Sequence, residues 1–306
     1  MARRKKGQPI NGWLILDKPL GLTSTHALAR VKRLFDAQKA GHAGTLDPLA
    51  TGILPIAFGE ATKTVSFAVD GKKSYAFAVR WGAETSTDDK EGAVTATSDA
   101  RPTEGEIRAL LPCFVGEIMQ TPPAFSAVKI DGERAYDLAR DGEVVVLDPR
   151  AIQIDDLRLV DMPNADTAVF EADCGKGTYV RSIARDMGRS LGCYGHVIEL
   201  RRTRVGPFEE GDAWGLEELE DEAEAGRLFD TDGPLLPVEM PLRGLPELMV
   251  TPSDASKLVR GMAVLIRGRD APVLSGLMYA TCQGRIVALG EVENGALHPI
   301  RVFNLG

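Results

Sequence analysis

With 306 residues, 44% of them hydrophobic, the chain can bury a full core, and its length fits one large domain or one large plus one small, so disorder of the whole is excluded. Cys113, Cys174, Cys193 and Cys282 are scattered, with no Cys-x-x-Cys pair and no His at ligand spacing, which argues against a zinc site or a disulfide framework and for a reducing cytoplasm. The net charge of −8 is unevenly spread: Arg3, Arg4, Lys5, Lys6, Lys18, Arg30, Lys32, Arg33 and Lys39 face only Asp17 and Asp36 within residues 1–40, whereas Glu209 to Glu224 is rich in acids and holds no basic residue. A basic face for phosphates and a repelling back are expected from that polarity.

Met1–Lys6 has the charge of a signal-peptide start, but Gly7 to Gly12 interrupts any apolar run, so no exported form is expected. No stretch approaches membrane-spanning length. Trp13–Leu16 predicts a short strand running into the turn Asp17–Gly21. A helix follows, with Ser24 as its cap; Ala27, Leu28, Val31, Leu34 and Phe35 recur at helical spacing while Arg30 and Arg33 fall on another face. The segment Gly41-His42-Ala43-Gly44-Thr45-Leu46-Asp47-Pro48-Leu49-Ala50-Thr51-Gly52 then confines one carboxylate to a tightly specified turn, because Pro48 pushes Asp47 away from helical angles and the glycines permit angles other residues avoid. Taken alone, Asp-Pro more often caps a helix than attacks a substrate.

Ile53–Phe58 predicts a buried strand, and Ser74–Trp81 a half-buried one in which Tyr75, Phe77, Val79 and Trp81 alternate with small or polar residues. Thr103 and Glu106 form a capping box for a helix over 103–111. Pro122 and Pro123 exclude the next stretch from a sheet interior, and residues 122–150, with Lys129, Arg134, Tyr136 and Arg140, predict an insertion projecting from the core. Strands are expected at Val144–Leu147, Ile152–Leu159 and Ala168–Cys174. Val180, Ile183, Ala184, Met187 and Leu191 form one helical face ended by Gly192, so Arg181 lies in a first turn and opposes the helix dipole unless a carboxylate such as Asp47 compensates. Gly175-Lys176-Gly177-Thr178 lacks phosphate-loop spacing, which rejects a nucleotide triphosphate site. After the proline-rich link Pro234–Pro246, short apolar runs at Ala263–Ile266, Val273–Leu274, Leu277–Thr281 and Ile286–Leu289 predict a small β-rich domain. The pattern as a whole is α+β, with a mixed, largely antiparallel central sheet, flanking helices and an inserted thumb-like segment.

Asp17-Lys18-Pro19-Leu20-Gly21-Leu22-Thr23-Ser24, Gly41 to Lys63, Pro122–Lys129, Gly177-Thr178-Tyr179-Val180-Arg181-Ser182 and Leu200-Arg201-Arg202-Thr203-Arg204 together resemble the ordered motifs of the TruB family of tRNA pseudouridine synthases. The resemblance spans roughly residues 10–210. It implies a catalytic domain over 1–240 that contains the RNA-contacting 122–150 insertion, and a PUA-like domain over 248–306. It implies isomerisation of uridine 55 in the TΨC arm of tRNA to pseudouridine, by flipping the base, in a cytoplasmic monomer that needs no cofactor, metal, membrane or obligate protein partner.

On the matching positions Asp47 is the nucleophile, His42 occupies the space the flipped base leaves, Tyr75 stacks on that base, Arg181 pairs with Asp47, and Tyr179 and Leu200 line the uracil pocket. Lys18, Arg30, Arg33, Lys63, Lys129 and Arg140 are candidates for phosphate contacts. Two other classes stand beside this expectation: an RNA-folding module, disfavoured by the intact Asp47, Tyr75 and Arg181, and a base-flipping glycosylase, which releases free base.

Overall fold

The computed structural model describes residues 7–126, 128–130, 133–140, 145–266 and 275–305. A ten-stranded mixed sheet dominates it, running from Ala213–Trp214 at one edge through Gly12–Lys18, Ala50–Phe58, Gly195–Val205, Lys73–Trp81, Thr167–Cys174 and Arg150–Asn164 to Gly116–Gln120. Only the pairs Gly12–Lys18 with Ala213–Trp214 and Ala50–Phe58 with Gly195–Val205 are parallel along this path. The largely antiparallel α+β architecture expected from the pattern is therefore the one present.

The unbroken apolar run at 13–16 has a simple cause: both faces of this sheet are covered. Leu14 and Leu16 point into a core closed by the helices Ser24–Leu34, Glu104–Leu110, Val180–Ser190 and Leu216–Glu224. Trp13 and Ile15 point the other way, into a second core shared with Val238, Met240 and Leu242, with Tyr279, Ile286 and Leu289 of the C-terminal sheet, and with Phe303 just past its last strand. All four are fully buried. The same alternation runs along Ala50–Phe58.

Pro55 is tolerated in that central strand for a local reason. Pairing with Gly195–Val205 ends at Gly52, and the short strand Ala40–His42 takes over only from Ile56, so the missing N–H falls near the fork.

The C-terminal sheet has five strands, Glu247–Met249, Gly276–Cys282, Arg285–Glu293, Ala296–Val302 and Val264–Leu265 in spatial order, and holds the helix Pro252–Val259 capped by Thr251. The expected run Val273–Leu274 lies outside the described residues. Among the described residues no helix is long and apolar enough to cross a membrane.

Three local expectations need correction. The helix Ser24–Leu34 is capped by Thr23, whose hydroxyl accepts from the His26 amide, while Ser24 is buried and turned to another task. No strand forms over 145–147, since the chain there is packing Val145 and Leu147 against Val128 and Ala135 of the insertion. The acidic run does not form a detached repelling back: its helix, Leu216–Glu224, lies beside the basic Ser24–Leu34 helix, with Glu220 paired to Arg30 at 2.6 Å.

Candidate active site

Asp47 does not cap a helix. It stands in a turn that leads directly into the strand Ala50–Phe58, with its carbonyl accepting from the Ala50 amide. The turn is braced from three sides. Ser24 donates to the Leu46 carbonyl and accepts from the Leu46 amide, at 3.0 and 2.8 Å. Gly21 donates its amide to the Pro48 carbonyl at 2.8 Å. Arg202, 2% exposed, donates to the carbonyls of Gly44 at 3.0 Å, Thr45 at 3.5 Å and Ile53 at 2.8 Å.

Arg181 enters from the first turn of the helix Val180–Ser190, whose N-cap is Tyr179. Its Nη2 lies 2.8 Å from Asp47 Oδ2, and its Nη1 lies 3.5 Å from Asp89 Oδ2. The Thr87 and Phe125 carbonyls each accept from it at 2.9 Å. The guanidinium side chain is 6% exposed and Asp47 37%, so the carboxylate faces the cleft with a shielded cation behind it. Charge-assisted contacts of this kind fix orientation as well as charge. The two acids also offset the unfavourable position of a cation at a helix start.

One turn further along the same helix Arg185 pairs with buried Asp88 at 2.9 Å and donates to the Thr121 carbonyl at 2.8 Å, which ties the loop carrying Asp89 to the loop carrying Phe125. Burial pushes the Asp88 carboxyl up to about 6 despite the two arginines nearby.

The cleft in front of Asp47 encloses about 510 Å³, and its walls include Asp47, Tyr75, Tyr179, Arg181, Leu200 and Arg202. Tyr75 is the cross-strand partner of Arg202 and Leu200 that of Phe77. Burial pushes the Tyr75 phenol up, and the adjacent Arg202 guanidinium works against that shift. Tyr179 is held through its backbone, where the buried Gln120 amide accepts from its N–H at 2.9 Å and donates to its carbonyl at 3.1 Å, as a neighbouring strand would. Its phenol is likewise pushed up by burial.

Five of the six residues expected at the site thus meet at one cleft. His42 is outside the cleft wall, half-buried on the strand Ala40–His42 opposite Ile56, with a buried Nδ1 that has no hydrogen-bond partner among the described residues. Burial, with Arg202 nearby, lowers the pKa of its ring.

The expected phosphate contacts fare differently. Lys18 is fully buried, with its ammonium donating to the Pro19 and Leu22 carbonyls at 2.9 and 2.8 Å and lying 3.5 Å from that of Pro48, so it braces the Asp47 turn instead of reaching RNA. Its pKa is pushed down by burial to about 8. Arg30 is engaged by Glu220, and Lys63 by Glu60 and the Val302 carbonyl of the C-terminal sheet. Arg33 is exposed. The side chains of Lys129 and Arg140 lie outside the described residues.

Sequence reasoning passed over Asp89, Gln120 and the role of Arg202. The run Thr85-Ser86-Thr87-Asp88-Asp89 offered two adjacent acids for the first, a pattern that a solvated loop shares. Arg202 lies within Leu200–Arg204, and only the fold shows it buried.

Residues 32–180 match the TruB family pseudouridylate synthase N-terminal domain, and residues 181–243 match the tRNA pseudouridylate synthase B C-terminal domain. The chain is 61% identical to a tRNA pseudouridine synthase B of Bradyrhizobium diazoefficiens, over 99% of this chain and 88% of that protein. It is 56% identical to one from Chelativorans sp. over the full length of both. Among solved structures it resembles a chain of a Cbf5-Nop10-Gar1 complex, with a TM-score of 0.71 at 25% identity, covering 96% of this chain and 85% of that one. It also shares its fold with a chain of an H/ACA RNP bound to a substrate RNA containing 2'-deoxyuridine, with a TM-score of 0.74 at 24% identity, over 99% and 92% of the two chains.

Proposed function

Because the chain belongs to the TruB family of pseudouridylate synthases, we propose that it isomerises one uridine of tRNA, position 55 in the TΨC arm, to pseudouridine. The contact between Arg181 and Asp47 at the cleft carries this assignment to particular residues. A carboxylate held by a shielded guanidinium and open on its other side is suited to attack an electrophilic carbon. In the reaction Asp47 adds to the target nucleotide, the N1–C1′ bond breaks, and the freed uracil turns. C5 then bonds to C1′, the C5 proton is lost and N1 gains one, and the carboxylate is released, so substrate and product have the same composition.

A uridine stacked in the arm must leave its stack to reach Asp47. Tyr75 receives the flipped base on its ring, Tyr179 and Leu200 bound it, and His42 takes the space left behind. The position of His42 just before the Asp47 turn supports that role. Arg33 and the 122–150 insertion, with Lys129 and Arg140, grip the RNA backbone. Residues 1–240 perform the chemistry and the PUA-like 248–306 domain steadies the RNA. The protein works as a monomer in the cytoplasm on tRNA, without an obligate protein partner.

Incubation of the purified protein with an unmodified tRNA transcript, followed by chemical mapping, gives pseudouridine at position 55 alone. Modification at another position, or release of free uracil as a glycosylase would give, overturns the assignment.

A further inference from the structure

The buried arginines around the cleft are not equivalent. Arg181 and Arg185 each meet carboxylates, Asp47 and Asp89 for one, Asp88 and Asp186 for the other. Arg202 is as deeply buried and has no carboxylate within ion-pair distance among the described residues. A guanidinium taken out of water without a counter-ion is costly, and an apolar side chain of similar volume would avoid that cost. Its presence there therefore needs a reason in what it touches.

It touches both sides of the proposed reaction. On one side its donors hold the Gly44 and Thr45 carbonyls, three and two residues before Asp47, and the Ile53 carbonyl beyond it. On the other, Arg202 is directly opposite Tyr75 in the sheet and both line the cleft, with the guanidinium near enough to the phenol to oppose the upward push of burial on it. Two glycines of the Gly41–Gly52 segment are shaped to this residue. A Cβ on Gly44 would come to 3.4 Å from Arg202 Nη1, and one on Gly52 to 2.2 Å from the Arg202 carbonyl oxygen. At these two positions glycine serves the close approach of Arg202 as well as backbone freedom, with φ at +89° and +94°.

We propose that Arg202 is a positioning residue for the isomerisation: one buried guanidinium that fixes the Asp47 turn and the Tyr75 phenol relative to each other, so that carboxylate and ring meet the flipped base as one unit. This rests on the assignment of Asp47 and Tyr75 above. Lysine cannot replace the arrangement, because a point charge on a flexible stem cannot bridge carbonyls on one side and a phenol on the other as a planar fork does. Removal of the guanidinium also lets burial act on the phenol unopposed.

The test compares Arg202→Met and Arg202→Lys with the parent, in single-turnover reactions on an unmodified tRNA transcript and in filter-binding measurements, each repeated in a Tyr75→Phe background. Both substitutions are expected to lower the rate constant about 100-fold, the scale of a misplacement near 1 Å, while the tRNA dissociation constant stays within about threefold. In the Tyr75→Phe background the further loss shrinks to about tenfold or less, because one coupled contact is already gone. A parent-like rate, a loss carried wholly by tRNA binding, or an undiminished 100-fold loss in the Tyr75→Phe background overturns the proposal. Should Arg202→Met not fold, Arg202→Lys, which keeps the buried charge, decides by the same criteria. An active Asp47→Asn protein would instead overturn the functional assignment, whereas an inactive Asp47→Asn beside parent-like Arg202 variants rejects the role of Arg202 alone.

Discussion

Two populations of cations occupy this molecule. Around the cleft Lys18, Arg181, Arg185 and Arg202 are buried, and their donors are committed to carbonyls and carboxylates of particular loops. On the outer surface Arg30 and Lys63 remain partly exposed and pair with Glu220 and Glu60. Both populations look alike in the sequence, yet the first holds a turn in one geometry and the second tunes a potential. Buried charges are expensive to leave unpaired, so they fix structure, whereas exposed pairs are screened and contribute little.

If that distinction holds, the effects of substitution should fall steeply from the cleft outwards. Arg181→Met leaves buried Asp89 without its cation and Asp47 without its anchor, and is expected to cost about 3–5 kcal/mol in urea unfolding. It is also expected to lower the single-turnover rate by about 1000-fold or more, as loss of a preorganised electrostatic contact does. Asp89→Asn keeps the shape of that contact and removes its charge. A rate loss of about 10- to 100-fold with near-parent tRNA affinity is expected, and a parent-like rate would show that Asp47 alone orients Arg181.

Lys18 sharpens the comparison through pH. Its folded value is near 8 against 10.5 for the free side chain, so between these values the unfolded chain binds more protons and folding gains stability as pH rises. Urea unfolding from pH 8 to pH 10 should therefore show the parent gaining on the order of 1 kcal/mol relative to Lys18→Met, with the two curves parallel below pH 8. The smallest effect belongs to the outer surface. Glu220→Gln should change stability by less than about 1 kcal/mol and tighten tRNA binding about twofold at low salt, because it frees the charge of Arg30.

The same distinction explains what the sequence disclosed. The strands 13–16, 53–58, 74–81 and 168–174 and the helices capped at Thr103 and ended by Gly192 were legible because local periodicity and capping chemistry determine them. The meeting of Asp47, Tyr75, Tyr179, Arg181 and Leu200 was legible from ordered motifs, although no spacing rule places residue 47 beside residue 181. Burial of Lys18 was not legible, since a lysine in a Lys-Pro-Leu-Gly turn looks exposed until the fold lays Pro48 over it. Nor was the use of Ser24, a good cap by type, which serves Leu46 while Thr23 takes the cap. In both cases a long-range partner overrides a local preference, and that partner belongs to the Asp47 turn.

The claim that this turn exists to present one carboxylate is tested most directly by Asp47→Asn, assayed on an unmodified tRNA transcript with tRNA binding measured on the same preparation. The substitution keeps the size of the side chain and removes its nucleophilic charge. Pseudouridine formation should be abolished while tRNA affinity stays within about threefold of the parent. Measurable turnover by a verified Asp47→Asn protein would contradict the account.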